Sequence, residues 1–323
     1  MLLGWEALCT AVAGTFICNY SPYAGFDSVT TDSRTVNPHA LFIPLRGTQQ
    51  DGHRYIEHAL RQGADCIIAD AAHLDVHDNT QHIALCKRYE ASCIRVEHTL
   101  KALQDAAAAY LERFPQLLKI GVTGSNGKTT TKELLASIFA QEYRTVKNEG
   151  NLNSETGLPL SVFTVTKEHE VGIFELGMNR KGEIAELAAV LKPNIAVITN
   201  IGTAHIGMLG SKDAIAHEKK QIFSCFDENS VGFVPDKDEY TAFLQEVPHG
   251  KTFTYSAAPD AYTLEGLSGA EIRYRGETIR LPLPGIHNVQ NAFAAIAVAE
   301  YCNIPPQSIK AGIENMQALF GRS

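Results

Sequence analysis

The chain's 323 residues exceed what one hydrophobic core usually holds, about 250 to 300, and predict two or three domains. Its 45% hydrophobic and 20% charged residues are ordinary for a folded protein and exclude disorder as the default. A formal net charge of -8 excludes general affinity for nucleic acid or anionic membrane, while leaving room for a local basic pocket.

The N-terminal stretch, Met1 to Tyr20, carries Glu6 and lacks both a basic start and a clean hydrophobic region, so it does not read as a secretory signal. No run approaches the length of a membrane span. Cys9, Cys18, Cys66, Cys86, Cys93, Cys225 and Cys302 are dispersed without a Cys-x-x-Cys pair, which predicts reduced thiols and a cytoplasmic protein. Val29 to Arg34 reads as strand then turn, Ala40 to Leu45 as a second strand, His53 to Gln62 as a helix and Gly63 to Ala69 as a buried strand. Together they predict a small α/β domain over residues 1–98. Ser33, Arg34, Arg46 and Asp51 fall at its loops, which by themselves read as solvated turns. His73 and His77 stand four apart among Asp75 and Asp78, but without the glutamate of a His-Glu-x-x-His site. The segment from His73 to His82 is therefore expected to be an acidic, polar surface loop.

Thr99 to Phe114 is alanine-rich with apolar positions three and four apart, a helix stopped by Pro115 and expected to open a second domain over residues 99–315. Next, Ile120 to Thr123 reads as a strand, followed by Thr-Gly-Ser-Asn-Gly-Lys-Thr-Thr. Gly124, Ser125, Asn126 and Gly127 can turn tightly with their N–H groups toward an anion; Lys128 would reach terminal phosphates, with Thr129 on Mg²⁺ and Thr130 beside it. Val122 stands where the strict Walker pattern has its first glycine, so this is a shorter form of the phosphate loop.

Strands over Val171 to Leu176 and Ile195 to Asn200 alternate with helices over Glu183 to Leu191 and Ala214 to Phe226, predicting a doubly wound, mainly parallel sheet. Glu175 and His205 follow apolar strands at the ends where such sheets bind ligands, making both metal candidates, with the carboxylate better suited to Mg²⁺. Lys219 and Lys220 read as a solvated pair on the helix after His205. Phe253 to Tyr255, Leu264 to Leu267, Glu271 to Tyr274 and Thr278 to Leu283 suggest short antiparallel strands, a β-rich side of the same domain. Finally, Asn288 and Asn291 lie one turn apart at the start of a helix over Val289 to Tyr301, placed to cap it or to face a base.

The phosphate loop, Glu-Gly-Asn-Leu-Asn-Ser-Glu-Thr-Gly-Leu-Pro-Leu, Glu-Leu-Gly-Met-Asn-Arg-Lys-Gly-Glu-Ile, Asn-Ile-Gly-Thr-Ala-His and Gly-Ile-His-Asn-Val-Gln-Asn-Ala resemble, in order, the motifs of the Mur ligases. Thr-Asp-Ser-Arg and Leu-Phe-Ile-Pro-Leu-Arg-Gly are similar to the family's UDP-sugar domain, and the Glu-Leu-Gly-Met-Asn form is most similar to its D-alanyl-D-alanine-adding branch. The resemblance implies ATP and Mg²⁺ as cofactors. UDP-N-acetylmuramoyl-tripeptide and D-alanyl-D-alanine would be the substrates, joined through an acyl phosphate in peptidoglycan precursor synthesis by a monomeric enzyme. It also implies roles: Lys128, Glu175, His205 and Lys219 catalytic; Thr129, Glu175, His205 and carbamylated Lys219 around metal; Asn288 and Asn291 on the nucleotide. Ser33, Arg34, Arg46, Asn151, Asn153 and Thr156 would serve the UDP-muramoyl peptide. Ser154 and Arg180 depart from the asparagine and histidine usual in the family. Residues 316–323 are expected to begin a linker to a third domain that is absent from this sequence. Two other readings are a non-catalytic module binding a nucleotide or cell-wall precursor, and a related ligase such as folylpolyglutamate synthase.

Overall fold

The computed structural model describes residues 1–47, 50–76 and 79–316, and the chain divides into two compact units. Met1–Pro115 and Glu155–Thr164 make the first. In it β1 (Leu3–Gly4) pairs antiparallel with β3 (Gly25–Phe26), and α1 (Trp5–Ala11) and β2 (Thr15–Asn19) lie between them in the chain. There follow β4 (Ser28–Thr30), β5 (Ala40–Phe42), α2 (Ile56–Gln62), β6 (Ala64–Asp70), α3 (Ala71–Val76), α4 (Asn79–Arg88), β7 (Ser92–Val96) and α5 (Thr99–Leu111). The main sheet runs β2-β7-β6-β5-β4, parallel except for β2. Cys66, Ile67, Ile68 and Ala69 of β6 are fully buried, the continuous apolar run that a parallel strand covered on both faces requires. Gly63, at φ +107°, ends α2 in a left-handed turn that returns the chain directly into β6.

Two expectations fail in this unit. The segment from His73 to His82 is not a surface loop: His73 lies in α3 and His82 in α4, because Leu74, His82 and Cys86 give this polar stretch enough buried positions to dock two helices. His77 and Asp78 lie outside the described residues. Helix α5 does not open the second domain, since it packs on α1 and on the helix at Gly157–Val162; its Ala102, Leu103, Ala106, Ala107 and Tyr110 are buried. The division falls at Pro115, not at residue 98.

Gln116–Ser154 and Val165–Ser323 make the second unit, of which residues 317–323, most of the expected linker, lie outside the description. Chain order is β8 (Leu118–Thr123), α6 (Lys128–Phe139), β9 (Thr145–Lys147), α7 (Gly157–Val162, carried in the first unit), β10 (Val171–Glu175), α8 (Glu183–Leu191) and β11 (Ile195–Ile198). Then come α9 (Ile206–Leu209), α10 (Lys212–Lys220), β12 (Val231–Pro235), α11 (Thr241–Gln245) and β13 (Lys251–Tyr255). All six strands are parallel, in the order β13-β12-β11-β8-β10-β9. After β8 the chain passes to the edge strand β9 and returns to β10 beside β8, then crosses to β11 on the other side of β8 and builds outward through β12 and β13, so the carboxyl ends of β8, β10 and β11 border a crevice where the winding reverses.

The β-rich side is smaller than expected. Lys251–Tyr255 pairs parallel with β12 and extends the main sheet. Only β14 (Tyr262–Leu264), β15 (Ala270–Tyr274) and β16 (Glu277–Leu281) form an antiparallel sheet, and a helical turn at Gly266–Ser268 replaces the rest of the expected strand at Leu264 to Leu267. Beyond it lie α12 (Ile286–Tyr301) and α13 (Pro306–Glu314). A single apolar cluster joins Ile120 and Val122 of β8, Leu134 and Ile138 of α6, Ile272 of β15 and Ala292 and Ala295 of α12, fixing α6 between sheet and helix. Among the described residues no helix is long and apolar enough to cross a membrane.

Candidate active site

The crevice is built on the turn from β8 into α6. Gly124 (φ +149°) and Gly127 (φ +79°) bend the chain where side chains would collide: a Cβ at Gly124 would stand 1.8 Å from Thr199 Oγ1, and one at Gly127 would stand 2.3 Å from Asn291 Oδ1. The loop is held from the end of β11. Ser125 N donates to Asn200 O at 3.0 Å, Asn126 N to Asn200 Oδ1 at 3.1 Å, and Thr199 Oγ1 to Asn126 O at 2.5 Å. Ser125, nearly buried, accepts from Gly202 N at 2.8 Å. At the start of α6, where N–H groups and the helix dipole favour an anion, Lys128 folds back to donate to Gly124 O at 3.0 Å.

A cavity of about 320 Å³ opens over this turn. Lys128, Thr129, Thr130, Asn153, Glu175 and His205 are among its lining residues. Glu175, at the end of β10, is 2% exposed, and neutral groups grip both its oxygens: Thr129 Oγ1 donates to Oε2 at 2.7 Å and Asn153 Nδ2 to Oε1 at 2.6 Å. A buried anion facing a polar cavity beside a threonine hydroxyl is an oxygen donor set suited to a hard divalent cation.

The imidazole of His205 is pushed toward its neutral form, first by burial and then by the charges of Lys219 and Lys128. Lys219 is not solvated as the lysine pair suggested; it is 1% exposed, and burial followed by the Lys128 charge pulls its ammonium down to about 7, against some opposition from Glu218. Its neighbour Lys220 donates to Phe243 O and covers that ring at 4.0 Å. Glu218 in turn accepts from Gly182 N and Ile184 N, fixing α10 to the first turn of α8. At the start of α12, Asn291 lies against Gly127 and donates to Asn288 Oδ1 at 3.3 Å, and Asn288 donates to Pro284 O at 2.8 Å.

Of the residues expected on the UDP-muramoyl peptide, Asn151 and Asn153 lie in the second unit, whereas Ser33, Arg34, Arg46 and Thr156 lie in the first. Ser33 is buried; Arg34 is exposed and grips Asp32 through Nε and Nη2 at 2.9 and 2.6 Å. Arg46 Nη2 contacts the buried Asp70 at 2.8 Å. Thr156 precedes α7. Close by Arg46, Asp51, His53 and His73 bring ligand-type atoms within 4.8 Å of one another. That cluster is already knitted by hydrogen bonds: His53 Nδ1 lies 2.6 Å from Asp51 Oδ1, and its Nε2 accepts from Asp70 N at 3.2 Å, so both ring nitrogens are engaged.

Asn148 and Thr199 escaped the reading of the sequence. Asn148 is fully buried and bonds through its side chain to both backbone groups of Glu175. Nothing in its local sequence separates it from an ordinary loop asparagine.

Residues 26–111 match the model of the Mur ligase family catalytic domain, and residues 122–299 match the Mur ligase middle domain. The chain belongs to the Mur ligase family. Over its whole length it is 49% identical to the UDP-N-acetylmuramoyl-tripeptide--D-alanyl-D-alanine ligase of Treponema pallidum, covering 70% of that protein. The crystal structure of MurF from Acinetobacter baumannii superimposes with a TM-score of 0.87 at 31% identity, over 98% of this chain and 69% of that one. MurF of Thermotoga maritima, solved in complex with ADP, gives 0.72 at 26% identity, over 91% of this chain and 67% of that one. Further curated relatives are covered over 62% to 65% of their length, so the chain spans about two thirds of these Mur ligases.

Proposed function

We propose that this chain carries the precursor-binding and nucleotide-binding units of a cytoplasmic ATP-dependent ligase that adds D-alanyl-D-alanine to UDP-N-acetylmuramoyl-tripeptide. The observation that carries the reading is the buried Glu175 carboxylate, held by Thr129 and Asn153 at the mouth of the phosphate loop. ATP would lie with its phosphates on the N–H groups of Gly124 to Thr130. Lys128 would exchange its bond to Gly124 O for the terminal phosphates, while Asn288 and Asn291 serve the nucleotide's other end.

Thr129, Glu175 and His205 would hold Mg²⁺, which supplies charge neutralisation on the transferring phosphoryl group. Lys219, with an ammonium pulled down to about 7, presents a substantial fraction of free amine near neutral pH. That amine can attack CO₂, forming a C–N bond and releasing a proton, to give a carbamate. The change converts a buried cation into an anionic oxygen donor.

The reaction follows in two transfers. A carboxylate oxygen of the tripeptide attacks the γ-phosphorus of ATP, the bond to the β-phosphate oxygen breaks, and ADP leaves an acyl phosphate. The amine of D-alanyl-D-alanine then attacks the acyl carbon, and phosphate departs as the amide forms and the amine's proton is lost. Lys128 contributes positioning and charge rather than covalent chemistry. In the first unit, Ser33, Arg34, Arg46 and Thr156 would serve the UDP-muramoyl precursor; in the second, Asn151 and Asn153 are assigned to its peptide. Hydroxylamine captures an acyl phosphate as a hydroxamate. Hydroxamate that forms only with ATP, Mg²⁺ and the UDP-tripeptide together supports the reading; folded protein that binds neither ATP nor the UDP-tripeptide contradicts it.

A further inference from the structure

The last register pair between β9 and β10 is Lys147 with Ile173, so Phe174 and Glu175 run past the end of their neighbour. On its other side β10 is still paired, with Glu175 opposite Val122 of β8. The open side is closed by a side chain. Asn148, the residue that follows β9, accepts from Glu175 N through Oδ1 at 2.9 Å and donates from Nδ2 to Glu175 O at 3.1 Å. Its amide thus takes the place of one more backbone rung, satisfying a buried donor and a buried acceptor that the sheet has left over.

The same amide nitrogen donates to Leu152 O at 2.7 Å, and so shapes the turn that delivers Asn153 to the Glu175 carboxylate. Beneath it, the backbone oxygen of Asn148 accepts from Lys132 Nζ at 2.7 Å. Lys132 lies on α6 one turn beyond Lys128 and is fully buried, paired to Glu133, which also pairs with Lys147. One residue therefore ties the helix of the phosphate loop, the end of β10 and the turn carrying Asn153 to a common geometry.

We propose that Asn148 is a positioning residue that aims the Glu175 carboxylate at the Mg²⁺ of a bound nucleotide. It touches neither reacting group; it acts by fixing the backbone of Glu175 and the partner of one carboxylate oxygen. The inference rests on the reading of Glu175 as a metal ligand, which requires the test to separate the two. Outer groups that orient a metal ligand are typically worth about tenfold to a hundredfold in metal affinity.

The test is calorimetric titration of the chain with ADP, once with Mg²⁺ and once with EDTA, and the readout is the ratio of the two affinities. Asn148→Ala should reduce the Mg²⁺ enhancement by about tenfold or more while leaving the affinity in EDTA unchanged. Asn148→Asp, nearly the same shape, keeps the acceptor for Glu175 N but turns an oxygen toward the Glu175 and Leu152 carbonyls, and should also lose the enhancement. Thermal melts identify the folded variants, so either one that folds decides the matter. Undiminished enhancement in a folded variant overturns the proposal. So does an equal loss with and without Mg²⁺, or failure of both variants to fold, since each marks a purely structural asparagine. Glu175→Gln is the separate control: if it retains the wild-type enhancement, the metal reading itself is wrong, whereas its loss beside an unaffected Asn148→Ala rejects only the positioning role.

Discussion

The hydroxyl of Thr129 donates to Glu175 Oε2 at 2.7 Å, linking the first turn of α6 to the end of β10. The bond fixes the carboxylate that the proposed mechanism assigns to metal, using a neutral donor. Thr129→Val keeps the shape and removes the hydroxyl. Nucleotide affinity in the presence of Mg²⁺ should fall by about tenfold or more, and Thr129→Ser should restore most of it. Calorimetric titration with ADP checks this, and a valine variant that binds as wild type would remove the hydroxyl from the site.

Gly124 and Thr199 meet so closely that only hydrogen fits between them. Gly124→Ala places a methyl 1.8 Å from Thr199 Oγ1 at φ +149°, and should destabilise the second unit by about 1–3 kcal/mol, with loss of nucleotide binding. Adding Thr199→Ala should recover part of the stability, because the two residues share one clash; urea denaturation of the single and double variants measures the coupling.

Lys219 gives the fold a pH dependence of defined sign. Burial and the Lys128 charge pull its ammonium down to about 7 in the folded chain from an ordinary 10.5, so between those values the unfolded chain binds more protons. Stability should therefore rise with pH across this window, and the cost of the buried charge should be fully present below it. Lys219→Met, of similar length and uncharged, should flatten this rise and stabilise the chain most at the acidic end. Urea midpoints compared at several pH values decide it; a slope identical in both proteins would show that Lys219 is not the titrating group.

Arg46 and Asp70 separate binding from stability in the first unit. Their contact at 2.8 Å joins a half-exposed guanidinium to a buried carboxylate. Arg46→Ala should cost about 1–2 kcal/mol, less than for a fully buried pair because solvent screens the arginine. Asp70→Asn in the same chain should recover part of that stability without restoring affinity for a UDP-sugar peptide. Denaturation and calorimetry on the pair of variants test the two halves independently.

The turn from β8 to α6 was legible because an apolar strand, spaced glycines, lysine and threonines coincide within a dozen residues, and few other structures need them together. Helix α8 was equally readable, since its apolar residues recur at helical spacing from Ile184 to Leu191. The helices at His73 and His82 were not, because a stretch with so few apolar residues becomes helical only through docking of Leu74 and Cys86, a tertiary effect. For the same reason α5 was assigned to the wrong unit: its buried alanines declare a helix but not the surface that covers them. Strand β13 is exposed or half-buried from Lys251 to Thr254 and buried only at Tyr255, so its pattern does not declare its parallel pairing to β12, which depends on connection. Glu175 announced itself as a charge ending an apolar strand. Asn148 did not, because its value lies in which backbone groups it meets.

Selective recognition of the cell-wall precursor tests the proposed function most directly. Calorimetric titration of the chain with UDP-N-acetylmuramoyl-tripeptide, set against UDP-N-acetylglucosamine, should show saturable binding of the first, weakened by Arg46→Ala, and far weaker binding of the second. Folded protein that binds neither, or binds both alike, would contradict the assignment of this chain to muramoyl-peptide ligation.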